Sequence, residues 1–285
     1  MEVIRRSRGI RAAAAAARAQ RRSVGFVPTM GFFHEGHLSL MRKAREERDT
    51  VLVSIFVNPL QFGPQEDLAS YPRDLDRDLS LAEAEGVDVV FAPEVEEMFP
   101  EGSPEVTIDP GPLGDRLEGA SRPGHFRGVV TVVAKLFHLV GPCRAYFGEK
   151  DAQQLAIIRR MVRDLGFPQE VVGCPIVREP DGLAMSSRNT YLSDEERKAA
   201  RCLYRGLQAA ADLAQEGERS ARRLRQELVA RVIEEPLAAL DYAAIVDEDS
   251  FDEVEQVEGP ARALVAARVG PARLIDNMAL PAPSE

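Results

Sequence analysis

Two of the chain's four histidines fall in one short stretch, Pro28-Thr29-Met30-Gly31-Phe32-Phe33-His34-Glu35-Gly36-His37. The apolar run Val24–Val27 stops at Pro28, and a helical pattern begins at Leu38. A strand, a glycine turn and a helix start are therefore expected in succession. Backbone N–H groups at such a helix start can cradle phosphate. Imidazoles there can donate to phosphate oxygens as charge develops on them. The same spacing could hold a metal, but no third ligand lies nearby in the chain. The glycines favour phosphate over a metal or a purely structural turn.

Four further clusters carry polar chemistry. Asn58-Pro59-Leu60-Gln61-Phe62-Gly63 places two neutral amides after the apolar run Val51–Val57. Asn58 and Gln61 could read hydroxyl and carboxylate groups, or Asn-Pro and Gly63 could simply fix a turn. Tyr71-Pro72-Arg73-Asp74-Leu75-Asp76-Arg77-Asp78 has acids at alternate positions. A cation site is possible there, but a solvated helix start with Asp74 and Asp78 one turn apart is the better reading. Phe147-Gly148-Glu149-Lys150-Asp151-Ala152-Gln153-Gln154 again runs from strand to turn to helix, with a lysine in an arginine-rich chain. Asp181-Gly182-Leu183-Ala184-Met185-Ser186-Ser187-Arg188-Asn189 offers two hydroxyls and a guanidinium, which suit a triphosphate. The alternative is a capped loop before the next helix.

The elements that must position these clusters follow from periodicity. Continuous apolar runs at Val24–Val27, Val51–Val57, Val87–Phe91, Ala145–Phe147 and Val171–Val177 suit strands buried on both faces. Helical patterns lie between them, at about 38–47, 75–85, 129–140 and 153–165. In the last, Leu155, Ile158, Met161, Val162 and Leu165 share one face. Alternation of this kind predicts an α/β fold with a Rossmann-like parallel sheet. Ligands in such sheets bind at the carboxyl ends of the strands, where the histidines, the amides and Lys150 fall. The texture changes after Val177. Ser193 and Glu196 form a capping box, helical stretches run to about Gly217 and Glu234, and three strand-like pieces follow near 242–246, 263–267 and 273–275. A domain of residues 1–176 and a smaller α+β domain of residues 177–285 are expected, with the 185–188 loop as a mobile lid at their boundary.

Composition excludes several classes. The chain has 285 residues, a net charge of −10, 45% hydrophobic and 29% charged residues. The acidic balance argues against nucleic acid as a partner, because phosphate backbones need clustered basic residues. No apolar run has membrane-spanning length. Cys143, Cys174 and Cys202 show no CxxC pair, so a reducing, cytoplasmic setting is expected rather than a disulfide framework. The first 22 residues are rich in Arg and Ala, faintly like a transit peptide; a surface helix leading into the first core strand is the preferred reading.

The strings PTMGFFHEGH, SIFVNPLQFG, YPRDLDRDL, FRGVVTVVAKLF, FGEKDAQQL and DGLAMSSRNTYL occur in this order. HEGH resembles the HIGH signature of the nucleotidyltransferase superfamily, and MSSR resembles its KMSKS-type loop. Together the strings resemble the pantoate–β-alanine ligase family from about Val24 to Asn277, with Leu274-Ile275-Asp276-Asn277 also fitting. The resemblance implies a Rossmann-like domain with a small lid domain, usually a homodimer, and ATP, Mg2+, pantoate and β-alanine as ligands. It implies that Pro28, Thr29, Met30, Gly31, His34, Gly36 and His37 line the ATP site, with His37 catalytic and His34 assisting at the phosphates. Gly148, Glu149, Lys150 and Asp151 would contact nucleotide, with Lys150 on phosphate. Val177 would pack near adenine, and Met185, Ser186, Ser187 and Arg188 would close on the triphosphate. Gln61 and Gln154 would hold pantoate, with Gln61 also near β-alanine and with Asn58 and Tyr71 in the same pocket. The family's adjacent acids and glutamine for magnesium are replaced by Arg77, Asp78 and Leu81. That leaves Asp78 as a contact through water, with the phosphates as the main ligands. Phe32-Phe33 is bulkier than the small pair expected after the glycine.

A plain nucleotidyltransferase acting on a phosphate-bearing acceptor is the alternative enzyme. A nucleotide-sensing or RNA-binding protein without turnover is the alternative of another class.

Overall fold

The computed structural model of the protein describes residues 1–64 and 66–281. Two compact units emerge: Met1–Glu149 with Ile157–Pro175, and Lys150–Ala156 with the chain from Ile176 onward. The division falls next to the expected 176/177 boundary. It also assigns the short segment 150–156 to the second unit.

The first unit is built on a six-stranded, all-parallel sheet of order β1-β4-β3-β2-β5-β6. Its strands are β1 (Glu2–Ile4), β2 (Val24–Thr29), β3 (Thr50–Ile55), β4 (Val89–Phe91), β5 (Arg144–Gly148) and β6 (Glu170–Cys174). The helices are α1 (Ser7–Ala19), α2 (Glu35–Glu47), α3 (Leu75–Ala84), the single turns α4 (Val95–Met98) and α5 (Glu118–Ser121), α6 (His125–Val140) and, from Ile157 onward, α7 (Ala152–Asp164). The buried runs of β2 and β3 pack Val27, Val51 and Val53 against Leu40, Met41 and Ala44 of α2. Each such side chain taken fully from water stabilises the fold by roughly 1.5–3 kcal/mol.

Strand order reverses at β2. Its pairing with β3 is continuous from Val24–Thr50 to Thr29–Ile55. Its pairing with β5 stops after Gly25–Arg144 and Phe26–Ala145. Strands β2 and β5 therefore part over Val27–Thr29 and Tyr146–Gly148. This is the topological switch point at which doubly wound sheets bind ligands.

Several boundaries differ from those expected. Residues 2–4 form a strand, paired in parallel with β4 through Glu2–Val89, Val3–Val90 and Ile4–Phe91. Three residues followed by Arg5 and Arg6 are too short to register as a pattern. The alanine-rich stretch is α1, and it buries Ile10, Ala14 and Ala17. Val87 belongs to the end of α3 rather than to β4. Gly86 at φ 73° donates to the Glu83 carbonyl and Val87 donates to the Ala82 carbonyl, a Schellman closure. Strand β6 stops at Cys174 because Pro175 has no N–H for a ladder. On α7, Leu155, Ile158 and Met161 are buried, but Leu165 lies past the helix end and is 58% exposed.

The second unit is an antiparallel sheet of order β7-β8-β9, with β7 (Ala238–Asp247), β8 (Ala261–Val269) and β9 (Ala272–Leu280). Helices α8 (Asp194–Ala199), α9 (Cys202–Gln215) and α10 (Ala221–Ile233) accompany it. Leu203, Leu207, Leu224 and Leu228 share one core with Ile245, Ala263 and Val265. Ser193 and Glu196 make the capping box of α8. Among the described residues no helix is long and apolar enough to cross a membrane.

The far end of α2 is tied to the sheet by charge. Glu47 accepts from Tyr146 Oη and Arg144 Nη1, both at 2.8 Å, and pairs with Lys43 at 2.9 Å. Lys43, then Arg144 and Tyr146, hold the Glu47 carboxyl down at about 2. A carboxylate with a depressed pKa stabilises the fold above its unfolded value and loses that contribution as pH falls through the folded one. The stability advantage of the wild type over Glu47→Gln should therefore be full at pH 6–7 and vanish near pH 2. Denaturation midpoints of the two proteins across that range provide the check.

Candidate active site

The turn after β2 is the most constrained part of the first unit. Gly31 and Phe32 are both left-handed, at φ 82° and 51°. Such a backbone costs a non-glycine residue of order 1–3 kcal/mol and persists only when its surroundings over-determine it. Asp78 supplies that constraint. Its carboxylate accepts the N–H of Phe32 at 2.6 Å and of Phe33 at 2.7 Å. A Cβ on Gly31 would lie 2.9 Å from Asp78 Oδ2, so glycine is required sterically as well. Phe33 fills the core under α2, and Arg77 lies over the Phe32 ring at 5.3 Å. The bulky pair is thus a packing feature.

Asp78 is 1% exposed, and burial raises its pKa against the two amide bonds. It is not part of a solvated helix start; Asp74 fills that place, capping α3 by accepting from Arg77 N. Its burial and its two amide bonds make it an anchor of the turn, and among the described residues no three His, Cys, Asp or Glu side chains converge on a metal position.

The histidines that follow cap α2 themselves. His34 is the N-cap, and its Nδ1 accepts from Gly36 N at 3.1 Å. His37 Nδ1 accepts from His34 N at 3.3 Å, closing a capping box made of imidazoles. The helix therefore starts at Glu35, three residues before its apolar pattern. Gly36 is needed, since a Cβ there would sit 2.9 Å from the His34 ring. The rings lie 4.1 Å apart between centroids. Backbone N–H can only donate, so each Nδ1 must carry its lone pair. Each neutral ring then carries its proton on Nε2. Two Nε2–H donors at the positive end of a helix are suited to oxyanions.

The amide cluster after β3 is held from several sides. Asn58 caps the 3-10 turn Pro59–Gln61 by accepting from Leu60 N. Its Nδ2 donates to Gln61 Oε1 and to the Gly128 carbonyl, both at 3.1 Å. At 1% exposure and with three bonds made inside the protein, Asn58 positions Gln61. Gln61 directs Nε2 at Met30 Sδ, 3.0 Å away. Tyr71, also expected in the pocket, is buried with its ring edge-on to Phe62.

Two residues at this turn escaped the sequence reading. His125 Nδ1 lies 2.8 Å from the Gln61 carbonyl, and Arg122 Nη1 lies 3.0 Å from His125 Nε2. The carbonyl must accept, so the proton sits on Nδ1 and Nε2 accepts from Arg122. Arg122 in turn forks onto Glu66 at 2.8 and 2.7 Å. The closeness of α6 to the turn also demands Gly128, where a Cβ would meet the Leu60 carbonyl oxygen at 2.2 Å. The only sequence signal was Arg and His at i, i+3 before an apolar helix.

In the second unit, Lys150 and Asp151 end the 3-10 turn Glu149–Asp151 that follows Gly148 of β5. Gln154 is half-buried on the first turn of α7. Met185 N donates to the Val177 carbonyl, and Arg178 bridges Ala184, so the 178–184 segment is a hairpin. Ser186 caps the following 3-10 turn by accepting from Arg188 N, and Ser187 is buried. The sequence pattern gave a glycine-led loop there; local bonds make it a defined hairpin and turn. Burial pushes the thiols of Cys143 up to about 12 and of Cys174 and Cys202 up to about 11, so none is a ready nucleophile.

A parallel sheet with a switch-point crevice beside a histidine-capped helix start is the architecture of the doubly wound α/β class, which binds its ligands at that crevice. Within it, the chain belongs to the pantoate–β-alanine ligase family, whose model matches residues 2–279. It is 58% identical over 268 residues to the pantothenate synthetase of Roseiflexus castenholzii, covering 94% of this chain and 96% of that one. It is 60% identical over 257 residues to that of Heliobacterium modesticaldum, covering 90% and 91%. The crystal structure of pantothenate synthetase from Thermus thermophilus superposes with a TM-score of 0.92 at 53% identity, covering 98% and 99% of the two chains. The pantoate–β-alanine ligase from Francisella tularensis, complexed with β,γ-ATP and β-alanine, gives 0.80 at 33% identity, covering 98% and 97%.

The buried His125 generates a stability prediction. Burial, with Arg122 adding to it, lowers its pKa to about 4. Between pH 6.5 and 4 the unfolded chain takes a proton that the folded ring refuses, so stability should fall by about 3 kcal/mol across that window. His125→Gln should flatten this dependence. Urea denaturation at pH 7.5 and pH 4.5 measures it.

Proposed function

We propose that the protein condenses pantoate with β-alanine at the expense of ATP, through a pantoyl adenylate. In the first step the pantoate carboxylate oxygen attacks the α-phosphorus, and the bond to the β-phosphate bridging oxygen breaks to release pyrophosphate. In the second, the β-alanine amine attacks the adenylate carbonyl, AMP leaves, and the amine loses a proton. The observation that carries this reading is the pair of imidazoles, His34 and His37, that cap the start of α2 beside the parting of β2 and β5. Charge develops on phosphate oxygens in the first step, and donors aimed there supply stabilisation without a protein nucleophile.

The roles are those that membership of the family implies for the matching residues of this chain. Pro28 to Gly31, Gly36 and His37 contact ATP, with His37 the principal donor and His34 its companion. Gly148 to Asp151 contact nucleotide, with Lys150 on phosphate. Val177 lies by adenine, and Met185 to Arg188 contact the triphosphate. Gln61 and Gln154 hold pantoate, and Gln61 also meets β-alanine. Mg2+ would be held mainly by the phosphates of ATP, with Asp78 reaching it through water, and would offset their negative charge. We also infer a homodimer and a cytoplasmic setting, the first open to light scattering and the second to fractionation.

The test separates the two half-reactions. Exchange of labelled pyrophosphate into ATP should need pantoate but not β-alanine, and net AMP release should need both. Exchange that is absent, or that depends on β-alanine, would remove the adenylate from the mechanism. His37→Ala should abolish exchange while keeping a native unfolding transition; turnover at the wild-type rate would remove His37 from the reaction. Lys150→Ala should raise the KM for ATP and slow exchange, read from initial rates against ATP concentration.

A further inference from the structure

The second unit contains a buried polar network that the reaction scheme does not use. Its centre is Asn277 on β9, opposite Leu264 of β8 and 1% exposed. Asn277 Nδ2 donates to the Lys150 carbonyl at 2.9 Å. Its Oδ1 accepts from Arg262 Nη1 at 2.5 Å, and Arg262 also pairs with Glu248. Its backbone N–H donates to Asp276 Oδ1 at 2.7 Å. Asp276 receives Arg178 in a fork at 2.6 and 2.9 Å. Arg178 also donates to the carbonyls of Gly182 and Asn277, and it lies 4.7 Å over the Tyr204 ring.

The amide orientation follows from its partners. A guanidinium can only donate and a carbonyl can only accept. Turning the Asn277 amide over would set two donors against each other at Arg262 and two acceptors at Lys150. The charges balance, with Arg178 and Arg262 against Asp276 and Glu248. A balanced, bonded network of this kind is rigid, and removal of a single bond leaves a buried group unsatisfied.

The two ends of the network reach the two segments of this unit assigned to phosphate. One end is the Lys150 carbonyl. The other is the 178–184 hairpin, which leads directly into Met185–Arg188. We propose that Asn277 is a positioning residue for Lys150: by fixing the carbonyl it sets the direction in which the lysine leaves the backbone. Asp276 and Arg178 hold the hairpin in the same way. This inference rests on the reading of Lys150 as a phosphate contact.

Asn277→Asp isolates the bond. It is isosteric and keeps an oxygen for Arg262, but it sets a second oxygen against the Lys150 carbonyl. Asn277→Ser, too short to reach Lys150, is the second variant should the aspartate fail to fold by circular dichroism. The folded variant should raise the KM for ATP about tenfold, as expected for one buried hydrogen bond, with the KM for pantoate unchanged. Placed on Lys150→Ala, the same substitution should add nothing, because the side chain it positions is gone. Effects that multiply in the double variant, or an unchanged KM for ATP in Asn277→Asp and Asn277→Ser, would overturn the inference alone. A Lys150→Ala enzyme with wild-type ATP dependence would overturn the reading of Lys150 and this inference with it.

Discussion

One buried carboxylate holds the turn on which the first unit's chemistry depends. Asp78 takes the N–H groups of Phe32 and Phe33 at 2.6 and 2.7 Å. It thereby keeps two successive residues left-handed between β2 and α2. Without that anchor the chain would leave β2 by a less strained path, and His34 would not arrive as the cap of the helix. The acid comes from α3, more than forty residues on, so the turn forms only when α3 has docked. Strand end, helix start and a second helix are fixed by one side chain.

The same economy governs the amide turn after β3. Asn58 binds Gln61 and Gly128, His125 binds the Gln61 carbonyl, and Arg122 joins His125 to Glu66. Gly128 permits the approach of α6. Side chains from the turn, the loop before α6 and α6 itself thus converge on one glutamine.

Much of this architecture was legible in the chain. Apolar runs gave β2 to β6, and the change of texture after residue 177 gave the second unit. The chemistry-bearing strings sat at strand ends, where a parallel sheet places ligands. The edge strand β1 was not legible: it has three residues and gains its meaning only from pairing with β4. Site roles that depend on distant partners were also hidden. Asp78 looked like one of several surface acids, Asn58 left substrate contact and a fixed turn equally open, and His125 drew no reading. Spacing records which residues are neighbours in the chain; it does not record which buried amide or carbonyl a side chain will be asked to satisfy.

The imidazole cap of α2 has a consequence for acid–base chemistry. The nitrogen on which either histidine would take up a proton is the one already accepting a backbone N–H. Protonation at that atom would set donor against donor and uncap the helix. Capping thus occupies one nitrogen of each ring, so the device that starts the helix also fixes which atom of each imidazole can give a hydrogen bond.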